Sequence, residues 1–165
     1  MRLLTERFCS AVCMDTLIAR KLSLTFRTDF TPADGQLIRE RVKRLHPQGA
    51  AHVLRMLANA LPTTARLHAE DRRDCWFCGA AFGDGLVHLM VCRRFATLVY
   101  EATGRRISPK DCFGFRRADL TLVVCCCELY LQVSHFHRDL VQYSAHRANL
   151  AAFARAAWLK ATSLA

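Results

Sequence analysis

Apolar residues recur along this chain at the three- and four-residue spacing of helices, and prolines and glycines divide them into segments. Residues 3–26 carry Leu3, Leu4, Phe8, Val12, Leu17 and Ile18, which predict an amphipathic helix followed by an extended piece. Thr31 and Pro32 open the next helix, a hydroxyl cap followed by proline in the first turn. Its apolar stripe is Leu37, Ile38, Val42 and Leu45, with Arg39, Arg41, Lys43 and Arg44 around the remaining surface. Pro47 is expected to stop it, because the residue before a proline is pushed out of the helical region. A further helix is predicted over residues 50–60, with Val53, Leu54 and Leu57 inward, and it ends before Pro62. Thr63 or Thr64 then caps a short helix through Ala69.

The second half reads as longer helices. Asp84 suits a helix N-terminus, where a carboxylate meets free amide donors and the positive dipole end. The helix it opens is predicted over residues 86–103, packing through Leu89, Val91, Phe95, Leu98 and Val99, with Gly104 as its left-handed stop. A basic loop follows over residues 105–117, with a turn of helix starting at Ser108-Pro109. Residues 119–133 are almost wholly apolar and predict a central buried helix, a long buried strand being the competing assignment. Cys125, Cys126 and Cys127 point in different directions on a helix, so they cannot share one metal and read as buried thiols. Cys9 and Cys13 read the same way, and His135 and His137 as satisfied structural histidines. An Ala-rich amphipathic helix over residues 147–164 closes the chain. The expected fold is mainly α, a small helical domain with an inserted Cys3His zinc knuckle. Its expected parts are residues 1–61, the knuckle region 62–117, and a helical segment 118–165 packing on the rest.

The knuckle itself is Cys75, Cys78, His88 and Cys92, a C-x2-C-x9-H-x3-C pattern. Two cysteines separated by two residues grip one ion if the chain between them turns tightly, and Gly79 tolerates the positive φ such a turn needs. His88 and Cys92 are four apart and lie on one face of a helix. Three thiolates and an imidazole favour zinc over harder cations, and four filled positions leave none for an activating water. One structural Zn2+ is expected.

The stretch LPTTARLHAEDRRDCWFCGAAFGDGLVHLMVC resembles the zinc-binding region near the C-terminus of non-LTR retrotransposon reverse transcriptases. The matching positions are Leu61-Pro62-Thr63, Arg66-Leu67-His68, the first cysteine pair, Asp84, His88-Leu89 and Cys92, where family members often place the last cysteine one residue later. The resemblance covers roughly residues 50–104. It implies a module that engages template RNA or target DNA. The chain has no adjacent aspartates of the polymerase kind and is too short for fingers, palm and thumb, so no enzymatic activity is expected. A free-standing C-terminal remnant or a domesticated derivative fits better.

Composition sharpens this picture. Nine cysteines without a secretory signal suggest reduced thiols and metal rather than disulfides, and a nuclear or cytoplasmic location. No apolar run is long enough to cross a membrane. The net charge is +10, and its distribution is uneven. Residues 20–61 hold eight basic against three acidic side chains, residues 62–117 ten against six, and residues 118–165 four against three. A positive field centred on the knuckle points to a polyanion. The expected phosphate contacts are Arg66, Arg72, Arg73, Arg93 and Arg94. Trp76 and Phe77 either stack on unpaired bases, making RNA or single-stranded DNA the favoured partner over duplex, or pack against the helix beginning at Leu86. A zinc-stapled scaffold contacting a protein through its apolar C-terminal half, as a part of a ribonucleoprotein would, is the alternative. A nucleophilic pair of Cys112 with His135 has no supporting motif.

Overall fold

A computed structural model of the chain describes residues 14–63, 73–108, 111–136 and 143–165. Seven α-helices and one 3₁₀ segment are found among them, and no strand: α1 Met14–Phe26, α2 Pro32–Val42, α3 Pro47–Leu57, α4 Leu86–Val91, α5 Arg93–Thr103, the 3₁₀ segment Cys112–Arg117, α6 Leu120–Phe136 and α7 Tyr143–Ser163. None of them is long and apolar enough to cross a membrane. The mainly α reading holds.

The fold is built around α6. Its residues Leu122 to Tyr130 are buried without interruption, as a helix apolar on all sides must be. It packs against α7 and α3, and the 3₁₀ segment covers its start. On α7, Leu150, Ala154, Ala157 and Ala161 form one buried stripe, continued by Leu164 just past its end, and the three alanines let the two helix backbones approach closely. The cysteines of α6 are buried as expected. Desolvation pushes the Cys125 and Cys127 thiols up to about 12 and raises Cys126 well above the ordinary thiol value, so all three stay protonated.

Several boundaries differ from the sequence reading. The described part of the first segment, residues 14–26, is helical throughout, with no extended piece before Phe26. Thr31 caps α2 in a reciprocal capping box with Asp34, as its sequence suggested. Pro47, however, starts α3 instead of stopping α2: it occupies the first helical turn, where its missing amide costs nothing, and the His46 ring accepts from the Gln48 amide. Leu37 and Leu54, assigned to the inward stripes, are exposed, while Ile38 and Val53 face the core. The short helix expected to run from Thr63 or Thr64 to Ala69 lies outside the described residues beyond Thr63, as do Cys9, Cys13 and His137.

A chain of aromatic contacts joins the middle of the sequence to this core. Phe77 meets Phe95 edge-on at 4.8 Å, Phe95 meets Phe113 at 5.9 Å, and Phe113 meets Phe26 at 6.0 Å. The 3₁₀ segment presents Phe113 and Phe115 inward through left-handed backbone at Cys112 (φ 49°), Phe113 (φ 59°) and Gly114 (φ 100°).

Candidate metal centre

The four predicted ligands converge. One ligand atom from each of Cys75, Cys78, His88 and Cys92 lies within 4.8 Å of every other. Cys75 Sγ stands 3.8 Å from Cys92 Sγ, and Cys78 Sγ stands 3.2 Å from His88 Nε2. Metal–sulfur bonds of about 2.3 Å in a tetrahedron put sulfurs ~3.8 Å apart, so the set has the size one tetrahedral ion requires.

Local structure explains the convergence. After Cys75 the chain turns back on itself, the Gly79 amide donating to Cys75 O at 2.8 Å and the Cys75 amide to Ala80 O at 2.9 Å. Gly79 has φ 74°, the conformation expected of it. The Phe77 and Cys78 amides are turned onto the Cys75 sulfur, and the Phe95 amide onto that of Cys92. Such donors favour thiolates. The hydrogen bond between Cys75 and Cys92 raises the first thiol, assisted by burial, and lowers the second, so the two titrate as a pair. A divalent ion is what permits all three sulfurs to ionise together.

The helix predicted over residues 86–103 is broken. α4 ends at Val91, Cys92 is extended (φ −69°, ψ 105°), and α5 starts at Arg93. His88 and Cys92 therefore do not share a helix face; the kink swings Cys92 Sγ toward Cys75 instead. It also rotates Val91 outward to 60% exposure, against its assignment to the packing face, whereas Leu89, Phe95, Leu98 and Val99 are buried. Asp84 does not cap α4 either. Gly85 is the cap residue, with no side chain to contribute, and Asp84 is 2% exposed with its carboxylate accepting from Tyr130 Oη at 2.9 Å. Burial and the adjacent carboxylate keep the Tyr130 hydroxyl protonated, and it also hydrogen-bonds Trp76.

No family model, characterised protein or solved structure matches the chain significantly. The function must therefore be read from the residues around this site.

Of the residues predicted to contact nucleic acid, Arg66 and Arg72 fall outside the described part. Arg73, Arg93 and Arg94 are exposed, the last two forming the first turn of α5 immediately after Cys92. Phe77 is 3% exposed and packed against Phe95, so no base can reach either face of its ring. Trp76 is half-buried against the core, with the Arg73 guanidinium 5.8 Å over its ring, so packing rather than open stacking describes it as well. The ring that does face solvent is Phe82, 69% exposed at the tip of the loop between the ligand pairs, with left-handed backbone and its amide donating to Asp74. The sequence reading passed over it. An aromatic held at φ 54° without being buried was its signal, and φ is not written in a sequence.

Gly83 was also missed. It is buried where a Cβ would lie 2.8 Å from Cys75 Cβ and 3.2 Å from His88 Cδ2, touching two ligands at once. Gly83→Ala should push those ligands apart and weaken metal affinity roughly ten- to a hundredfold, the range for disturbing groups behind a metal ligand. Competition with a chromophoric chelator measures this, and unchanged affinity would show that the loop relaxes freely.

Elsewhere the structure separates what the sequence left open. Cys112 is fully buried, its thiol raised by burial, and it lies beside the start of α6. His135 is exposed near the far end of that helix, about 22 Å along it at 1.5 Å per residue. They form no pair, and His135 is not the enclosed histidine expected. The enclosed one is His52 on α3. Its Nε2 lies 2.6 Å from Glu128 Oε1 on α6, which also takes Lys160 Nζ of α7 at 2.7 Å, and Cys127 Sγ is 3.4 Å from its Nδ1.

Proposed function

We propose that the chain is a zinc-stabilised nucleic-acid-binding module, related to the C-terminal region of a retrotransposon reverse transcriptase and without polymerase activity of its own. The observation that carries this reading is the placement of Arg93 and Arg94, exposed in the first turn of α5 directly after a metal ligand. Cations there oppose the positive end of the helix dipole and repel each other, and an anionic partner resolves both costs. Arg73, two residues before Cys75, extends the same basic flank. Phosphates would bind these guanidiniums, and an unpaired base would stack on Phe82, favouring RNA or single-stranded DNA. The three-sulfur, one-nitrogen donor set is that of structural zinc. Zinc would hold the two flanks of the loop together and would leave no coordination position for catalysis.

The test is a salt titration. Replacing Arg73, Arg93 and Arg94 with alanine should weaken binding to a single-stranded oligonucleotide and reduce the slope of log affinity against log salt by up to about one phosphate per side chain, roughly 0.7 each. Elemental analysis of the same preparations should give one zinc per chain. If parent and triple variant bind alike at every salt concentration, the metal is a staple for another purpose. The competing reading, a scaffold for a protein partner, has the exposed Val87 and Val91 of α4 in its favour. In the apolar C-terminal half, α6 is buried from Leu122 to Tyr130, and Leu159 of α7 is the large apolar side chain exposed among the described residues. A partner held there would associate with little dependence on salt.

A further inference from the structure

A cleft of about 520 Å³ opens where four arginines from three separate stretches of chain meet. Arg41 and Arg44 come from the end of α2 and the turn after it, Arg105 from the loop after α5, and Arg117 from the 3₁₀ segment. Asp119 is the one acidic side chain among the described lining residues. Its carboxylate is already engaged, by Arg105 and by the Leu122 amide of α6 at 3.4 Å. Arg117 Nε pairs with Asp111 at 2.8 Å. Arg41 and Arg44 have no acidic partner among the described residues. The first turn of the 17-residue α6 forms part of the same wall and adds the positive end of its dipole. The cleft is not part of the metal centre: Arg105 follows the C-terminus of α5, and Cys92 precedes its N-terminus, about 16 Å away along an eleven-residue helix.

Convergent like charges raise the energy of a fold unless something of opposite charge shares the space. Guanidinium forks match phosphate oxygens in pairs, and several forks from different directions suit a terminal phosphate, which offers three oxygens and a second negative charge. A diester running along a strand offers only two free oxygens. The volume is that of a small-ligand site rather than a groove for a polymer. We propose that this cleft binds a phosphomonoester, carried either by the 5′ end of a nucleic-acid strand or by a free nucleotide-sized compound. Arg41 and Arg44 supply the uncompensated charge, and Arg105 and Arg117 are oriented by their carboxylate partners.

The experiment compares a single-stranded oligonucleotide bearing a 5′-phosphate with its 5′-hydroxyl twin, and measures adenosine 5′-monophosphate and inorganic phosphate separately by calorimetry. A strand-end site gives about tenfold tighter binding of the phosphorylated oligonucleotide. A site for a free compound gives saturable binding of the mononucleotide, with no difference between the twins. Both results support the proposal, provided that they vanish in the Arg41→Ala/Arg44→Ala variant. These side chains are exposed and hold no ion pair, so the variant should melt with the parent. Its binding of the 5′-hydroxyl strand should be unchanged, and Arg73, Arg93 and Arg94 should matter for both strands but not for the mononucleotide. Failure of the knuckle reading would thus leave mononucleotide binding intact. The proposal is overturned if neither the 5′-phosphate nor the mononucleotide or phosphate gives a gain, or if the gain survives loss of Arg41 and Arg44.

Discussion

Stripping the metal with a chelator, or replacing Cys78 with serine, is expected to destabilise the whole domain and not only the loop that carries the ligands. A structural ion that only stapled its own loop would leave the helices around Leu120 and Ala151 unaffected. Two connections in the structure argue for a wider effect. Phe77, held between two ligands, is the first ring of the series that runs through Phe95 and Phe113 to Phe26 on α1. Asp84, within the loop between the ligand pairs, is hydrogen-bonded to Tyr130 on the central helix. Once the ion is lost, the loop has no preformed geometry, because an apo site supplies none of the free energy that metal binding contributes to folding. Releasing Phe77 then leaves a void beside Phe95, and releasing Asp84 leaves the buried Tyr130 hydroxyl without its acceptor. The expected loss is roughly 5 kcal/mol or more, a large part of what a domain of this size has. Urea unfolding of the metal-bound, chelated and Cys78→Ser forms measures it, and limited proteolysis locates it. Equal midpoints together with intact protease resistance across residues 73–103 would show that the core holds the loop unaided.

Glu128→Ala should be the most damaging single substitution away from the metal. The carboxylate is nearly inaccessible, and it receives His52 from α3 and Lys160 from α7 while itself standing on α6, so one side chain ties three helices. Burial by itself would raise its pKa, but the hydrogen bonds from His52 and Lys160 outweigh burial and bring it down to about 2. Removing one member of such a group strands the others, at a cost of about 3–5 kcal/mol. Because the folded pKa lies below the usual 4.5, the stability this group contributes is complete above pH 4.5 and is lost as the pH falls toward 2. That loss amounts to roughly 3 kcal/mol. Glu128→Gln keeps the shape and removes the titration. Parent and variant both shed metal as their thiolates protonate, so the difference between their two acid-unfolding curves isolates Glu128. Parallel curves between pH 5 and 2 would place the carboxylate in ordinary solvent.

What could be read from the sequence was whatever depended on near neighbours. Thr31 with Pro32, Gly79 after Cys78, Gly104 after α5 and the almost wholly apolar run of α6 each carry their signal within a few residues. The ligand spacing belongs to this class too, since the four positions lie within eighteen residues of each other. What was misread depended on partners far along the chain. Asp84 has every local property of a helix cap, yet the hydroxyl of Tyr130, 46 residues away, draws it inside. Nothing around Cys92 disfavours helix; only the need to place its sulfur beside Cys75 breaks the chain there. Pro47 was given one of the two roles that proline plays at helix ends, and the His46 ring, which accepts from the Gln48 amide, decides for the other. Nothing near His52 in the sequence marks it as enclosed, because its partners Glu128 and Lys160 come from elements 76 and 108 residues later.

Of the seven described cysteines, six are buried and Cys78 alone is exposed. The thiols of α6 are protonated as well as enclosed, and oxidants attack thiolates that they can reach. Among the described cysteines, oxidants thus meet a single exposed thiol, and it belongs to the candidate metal centre. Sulfenylation of Cys78 would withdraw one donor and expose its neighbour Cys75 to disulfide exchange while the central helix stayed chemically unmarked. Oxidation at Cys78 and release of a bound ion would be the same event, and a preparation aged in air is expected to lose metal before the enclosed thiols of α6 show any change.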